Sequence, residues 1–466
     1  MRRFSGEELK SLALELPEDV LKYKDFGDLE KAKEAADRWL EQPIGEELKT
    51  RLRYEKFILE ELPKQFPYTK ADVIRLFKEK LPDFSEEDIR KMESKNLAEW
   101  IYINGEKHYI HNLMRNIMDK DDDIRERAGI YEKISEDKKL LLQKVQQIRE
   151  QGGAKESFRI RATIRLKDEQ FKPGMKVKVH LPIPAEAYQI SDVQILDHTQ
   201  GNVSIDKPDS LYRSICFQDQ LQENRTFFVE YKYTVTAKYV DLWSDEVKKS
   251  SVPEGMEEYL KEQYPHIRFS PYLTSLAREI AGEEKDPLEI ARRIYDYITT
   301  KVQYSYMKEY SLITDIPQYC ARNLRGDCGV QALLFITLCR ICGIPAKWQS
   351  GLYANPAYVG PHDWAMFYVE PYGWLYADPS FGGSAYASGD EQRRRFYFGN
   401  LETYRMVANN AFQQDFAVKK DFMPIDPYDN QTGEIESEEK GFASYEVENT
   451  KEMVLKRYKC KAADLP

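Results

Sequence analysis

The run from Val330 to Cys342, "VQALLFITLCRIC", holds a single charged residue, Arg340, in a chain where charged residues make up 32% of the whole. Gly343 can end a helix and Pro345 cannot continue one, so the run reads as one helix, apolar on every side. Such a helix has to be covered all round, which makes it the centre of a core. Just before it, Gly326 and Asp327 set Cys328 in the first helical turn. There the unpaired backbone N–H groups and the helix dipole favour an anion. The position predicts a thiol of lowered pKa with a populated thiolate. It also offers the backbone N–H of Cys328 as half of an oxyanion hole.

A chain of 466 residues is long for one core, and about 100–200 residues per domain suggests roughly three. The net charge of -10 and pI near 5.5 argue against nucleic acid, whose phosphates need clustered Lys and Arg. The amino terminus, "MRRFSGEELKSLALELPEDV", lacks the apolar core of a signal peptide, and no window approaches the ~20 apolar residues of a membrane span. We therefore expect a cytoplasmic protein with no membrane partner. Six cysteines, Cys216, Cys320, Cys328, Cys339, Cys342 and Cys460, are too few and too irregular for a disulfide scaffold, so reduced thiols are expected.

Residues 1–153 read as mostly helical. Thr69 and Ser85 each head a helical pattern with an acid three positions on, and Ser135 opens a helix that Gly152 and Gly153 stop. Between them Asn104-Gly105, flanked by β-formers, predicts a hairpin. Two helices and a hairpin could mimic a winged helix, but the segment is not basic, so a structural or protein-partner role is preferred over DNA binding. Residues 154–242 switch to period two, as in "FRIRATIRL", and predict a small antiparallel domain resembling a β-sandwich. Residues 243–430 return to helices after the connector "SDEVKKSSVPEG", with Asp286-Pro287 opening a helix to about Val302. Residues 431–466 form a polar tail with a candidate strand at "ASYEVE".

A thiolate needs a base, and of six histidines only His362 follows Cys328. "DWAMFYVE" and "WLYAD" read as two strands joined at Pro371-Tyr372-Gly373, which brings Asp378 back to orient the imidazole. That loop would set Asp378 opposite Met366, about 13 Å short of His362, so a bulge or twist has to close the gap. Cys339 and Cys342, at helical spacing with no further ligands nearby, read as core rather than zinc or redox sites. Trp348 and Trp374 read as packing, and Trp364 as a shield for the ion pair beside it.

These blocks in order, "GDCGVQALLFITLCRICGIPAKWQSG", "HDW" and "WLYADP", resemble the transglutaminase-like superfamily, in a bacterial-type multidomain form, over about residues 280–383. The resemblance implies an α+β fold with a papain-like core, preceded here by the β-sandwich-like and helical domains. It implies Cys328 as nucleophile, His362 as general base and acid, and Asp378 as orienter. Tyr304 and Tyr306, upstream of the nucleophile, are candidates for a second oxyanion donor. Asp363 stands where the family most often has a small residue, and as a carboxylate it could compete for the imidazole. The implied chemistry is cysteine-dependent acyl transfer on a peptide or amide, through a thioester that water resolves, with no cofactor and no metal. Protein-glutamine transglutamination is the close alternative, and a non-catalytic binding or scaffold protein retaining the core is the other.

Overall fold

A computed structural model describes residues 4–130, 135–244 and 246–454 of the chain. Cys460 lies outside the described residues.

The amino-terminal region is built on helices α1 (Glu46–Gln65), α2 (Lys70–Lys78), α3 (Glu86–Ser94), α4 (Leu113–Lys120) and α5 (Glu136–Gln151), with shorter helices before α1. Thr69 and Ser85 form capping boxes with Asp72 and Asp88, and α5 ends at Gly152 in the left-handed region, φ +77°. The hairpin β1 (Trp100–Ile103) and β2 (Glu106–Tyr109) turns at Asn104 and Gly105, both at positive φ, as a tight two-residue turn requires. Tyr68–Thr69 adds a short third strand.

Next come β3 (Gly153–Leu166), β4 (Met175–Pro182), β5 (Ile190–His198), β6 (Asn202–Ile205), β7 (Ser214–Leu221) and β8 (Phe227–Lys238). They fold into two antiparallel four-stranded sheets, and each needs a strand from the far end of the chain. β14 (Glu434–Ser437) pairs with β4, and β15 (Val447–Met453) pairs with β3 along most of its length. In the "ASYEVE" segment, Ser444–Glu446 form a single 3-10 turn and the strand starts at Val447, one residue later giving way to polar outward positions.

Between these strands lies the α+β core: helices α6 (Pro271–Ala281), α7 (Pro287–Lys301), α8 (Ile316–Asn323), α9 (Cys328–Ile341) and α10 (Pro379–Ala387). Its antiparallel sheet runs β12 (Phe398–Gly399), β11 (Gly373–Ala377), β10 (Tyr358–Val369), β9 (Ala346–Asn355), β13 (Arg405–Asn409). Every residue of α9 from Gly329 to Arg340 is buried, as its composition requires. Arg340 is satisfied by backbone carbonyls: Nε donates to that of Ala346 at 2.9 Å and a terminal nitrogen to that of Lys261 at 2.8 Å. Among the described residues no helix is long and apolar enough to cross a membrane.

Because α9 has no solvent face, a cavity in it cannot relax outward. Leu333→Ala is expected to cost about 2–5 kcal/mol, read as a lowered midpoint in urea unfolding.

Candidate active site

Three elements converge at the amino-terminal end of α9. Asp327 caps the helix through the Val330 N–H, so Cys328 occupies the first turn as expected. The strand pair β9–β10 sets His362 opposite Gly351 and Asp363 opposite Ser350, without a bulge. β11 returns antiparallel with Ala377 opposite Ala365, and Asp378 then caps α10.

The β10–β11 register differs from the expectation. Val369 pairs with Gly373, so the loop is Glu370–Tyr372, and Gly373 at φ +77° already belongs to β11. The shift carries Asp378 two positions closer to His362 than a loop at 371–373 would. The remaining diagonal is short enough for side chains to span. His362 Nε2 and Asp378 Oδ2 lie 2.7 Å apart, both residues buried.

Asp378 is fully engaged. Oδ2 also accepts from Arg405 at 2.7 Å, and Oδ1 accepts from Ser380 Oγ and the Phe381 N–H, each at 2.9 Å. Burial alone would raise its pKa, but His362, Arg405 and these bonds outweigh it and hold the carboxyl well below the usual range. Arg405 is itself wholly buried and turns its other donors to Glu402 at 2.7 and 3.1 Å. An ionised Asp378 can only accept, so Nε2 of the imidazole carries the hydrogen. Burial, opposed by Asp378, leaves the His362 pKa below its ordinary value, so the ring is neutral at pH 7. Nδ1 is then a proton acceptor, and it has no hydrogen-bond partner among the described residues. The ring is boxed by Phe381, Trp364 and Tyr353, at centroid distances of 4.5, 6.0 and 6.5 Å. Trp364, wholly buried, is fixed by an indole bond to Gln349 Oε1 at 2.7 Å.

The structure thus brings His362 and Asp378 together, but the hydrogen-bond partner of Cys328 is another residue. Cys328 Sγ donates to Asp363 Oδ2 at 3.3 Å, and no hydrogen bond joins it to His362. Asp363 does not compete for the imidazole; the alternation of β10 turns it to the thiol instead. The lowered thiol pKa expected from the helix terminus is also corrected. Burial first pushes Cys328 well above its ordinary value, an ionised Asp363 or Asp327 would push it further, and the opposing Asp363 N–H does not offset this. At rest Cys328 is a protonated thiol.

Tyr304 and Tyr306 divide. Gln303–Tyr304 pairs in parallel with Arg325–Gly326, directly before Asp327 and Cys328. Burial and then the nearby Cys328 and Asp327 push the Tyr304 phenol up, which keeps it a donor. Tyr306 is turned to the amino-terminal region: Arg115 stacks on its ring at 3.5 Å, and Asn116 bonds its backbone on both sides, at 2.7 and 3.1 Å. Tyr310, which sequence reasoning passed over, hydrogen-bonds Asp327 and lies over Gly329, where a Cβ would come within 2.5 Å of its hydroxyl. Arg405 and Asp429 were missed as well, since neither belongs to a motif and both reach the site only through tertiary folding. Trp348 packs against Phe412, in keeping with a core role.

Arg405→Met would leave Asp378 and Glu402 as buried carboxylates without their cation, at an expected cost of about 3–5 kcal/mol in urea unfolding at pH 7. The folded pKa of Asp378 is depressed, so its contribution is present above the ordinary carboxylate range and lost as pH falls. The deficit of the variant is therefore expected to shrink below about pH 4.

Residues 274–379 match the family model of the transglutaminase-like superfamily. Among solved structures, "a Putative Cysteine Protease from Cytophaga hutchinsonii" aligns over 66% of this chain and 94% of its own, at 15% identity and a TM-score of 0.40. The periplasmic domain of TgpA from Pseudomonas aeruginosa aligns over 51% and 92%, at 15% identity and a TM-score of 0.28. No curated protein matches the chain. Residues 274–379 are thus a transglutaminase-like superfamily domain, set in this chain behind a helical amino-terminal region and an antiparallel sandwich.

Proposed function

We propose that the protein is a cysteine-dependent acyl-transfer enzyme that hydrolyses peptide or amide bonds of a protein or peptide substrate. The observation that carries this reading is the state of His362: neutral, buried, held by an ionised Asp378, and with Nδ1 unengaged. A base in that state is ready to take one proton and to be stabilised once it has done so.

In the proposed cycle the contact between Cys328 and Asp363 opens as substrate enters, and the thiol proton passes to His362 Nδ1. The sulfur forms a bond to the carbonyl carbon, and the resulting oxyanion meets the Cys328 N–H, with Tyr304 as the candidate second donor. His362 returns its proton to the departing amine as the C–N bond breaks and a thioester remains. Water then gives a proton to His362, attacks the thioester and releases the acid, and the thiol is restored. Asp378 stabilises the imidazolium in both halves without itself taking the proton.

The test is incubation with an unfolded protein such as casein, with products read by mass spectrometry. New peptide termini are expected from the native chain and none from Cys328→Ala, while His362→Ala is expected to lose about 10²–10⁴-fold in rate. Incorporation of an added primary amine into glutamine side chains, without new termini, would replace hydrolysis by transglutamination. Turnover unchanged in Cys328→Ala would overturn the enzymatic reading.

A further inference from the structure

The carboxyl that touches the nucleophile is one of a pair. Asp363 Oδ2 meets Cys328 Sγ at 3.3 Å, and the approach depends on Gly329, where a Cβ would stand 2.7 Å from that oxygen. Asp363 also hydrogen-bonds the carboxyl of Asp429, and the two residues are only 4% and 2% exposed. Two carboxyls in buried contact cannot both be ionised, so one proton has to lie between them.

The surrounding bonds decide where it lies. Asp429 Oδ1 accepts from Ser350 Oγ at 2.7 Å, from the Asn430 N–H at 2.6 Å and from Asn409. Its Oδ2 is buried and has no donor among the described residues apart from a proton on Asp363. Asp363 accepts from Gln431 Nε2 and from the thiol. The anion is therefore best solvated on Asp429, and the proton belongs to Asp363. Among the described residues no basic side chain forms an ion pair with Asp363 or Asp429. The other titratable groups facing Asp363 are Asp327 and Cys328 from α9, Asp426 from the loop of Asp429, Tyr212 from the sandwich, and Tyr304 and Tyr310 from the segment before α9. Arg405 is committed to Asp378 and Glu402.

We propose that Asp363 works as a neutral carboxylic acid, its proton shared with Asp429, and that this pair is a positioning device that allows a thiolate to form on Cys328 beside it. The inference rests on the proposed role of Cys328 as nucleophile. When the thiol proton moves to His362, the proton of the pair stays where it is, so the new sulfur anion faces no like charge at 3.3 Å. An ionised Asp363 in the same place would oppose that step.

Alkylation of Cys328 by iodoacetamide, with peptide mapping, and infrared difference spectroscopy test this on the full chain. At pH 7 the spectrum of the native chain minus that of Asp363→Asn is expected to show the C=O band of a protonated carboxyl. Asp429→Asn removes one cause that holds the proton on Asp363, burial being the larger one, and puts an amide donor in its place, so the protonated-carboxyl band of Asp363 is expected to weaken and alkylation to slow in step with it. In Asp363→Asn/Asp429→Asn the loss is expected to be recovered. Absence of the protonated-carboxyl band, or a tenfold acceleration of alkylation by Asp363→Asn alone, would overturn the proposal, and these two readings decide it even if Asp429→Asn does not fold. His362→Ala separates the questions: alkylation indifferent to that change would count against the thiol–imidazole reading, while the infrared band reports on Asp363 either way.

Discussion

The structure depends on how one carboxylate is held. Asp378 stands where β11 ends and α10 begins, and its two oxygens accept four bonds, from His362, Arg405, Ser380 and the Phe381 backbone. Three of those partners come from different elements, so the carboxylate joins β10, β13 and α10 at one point. A buried anion with fewer donors would take up a proton instead. His362 and Arg405 together prevent this, and Glu402 in turn balances Arg405. The geometry of the imidazole is therefore inherited from a chain of charges that is buried throughout.

The other end of the site follows the opposite logic. α9 is buried because it is apolar, and the same burial that makes it central raises the thiol at its start. The helix terminus does offer unpaired N–H groups, but Asp327 caps it through the Val330 N–H and brings a carboxyl to the spot where the helix would otherwise favour an anion. A dipole effect of about 0.3–1 kcal/mol cannot outweigh desolvation at a half-buried site beside two acidic side chains. Position on a helix indicates which way a thiol is biased, but the surrounding groups decide the outcome.

This explains which parts of the molecule were legible in the sequence. The helix from Cys328 to Ile341, the Asn104-Gly105 hairpin, the capping boxes at Thr69 and Ser85 and the alternating strands all rest on local pattern, and the structure has each of them. The pairing of His362 with Asp378 was legible as an intention but not as a register, because one residue of loop assignment moves the partner by two positions. The tail and the residues just before it showed no function because their roles are long-range: Val447–Met453 closes the sandwich against β3, and Asp429 and Gln431 complete the surroundings of Asp363. No periodicity within the tail reports such contacts. The contact of Cys328 with Asp363 was hidden for a related reason. Adjacent residues of a strand face opposite sides, so "HD" reads as one motif yet serves two environments.

The amino-terminal region belongs to the same argument, although it carries none of the reacting groups. The segment 303–312, which holds Tyr304, Tyr306 and Tyr310, has little regular structure of its own. Its backbone is instead tied from outside: Asn112 donates to the Met307 carbonyl at 3.1 Å, Asn116 bonds Tyr306 on both sides, and Tyr54 donates to the Ser311 carbonyl at 2.9 Å. The ion pair of Lys308 with Glu99 at 2.8 Å lies between them, and Arg325, three residues before Cys328, is bonded to Asn96. A loop that has to keep phenols at fixed places without a sheet or helix needs each polar backbone group satisfied from a rigid neighbour. Helices α1 and α4 supply those neighbours, so the wall beside the nucleophile is a property of both regions. A core cut from its amino-terminal helices would retain Cys328, His362, Asp378 and the pairing of Tyr304 with Gly326, but lose the bonds that hold the backbone around Tyr306 and Tyr310.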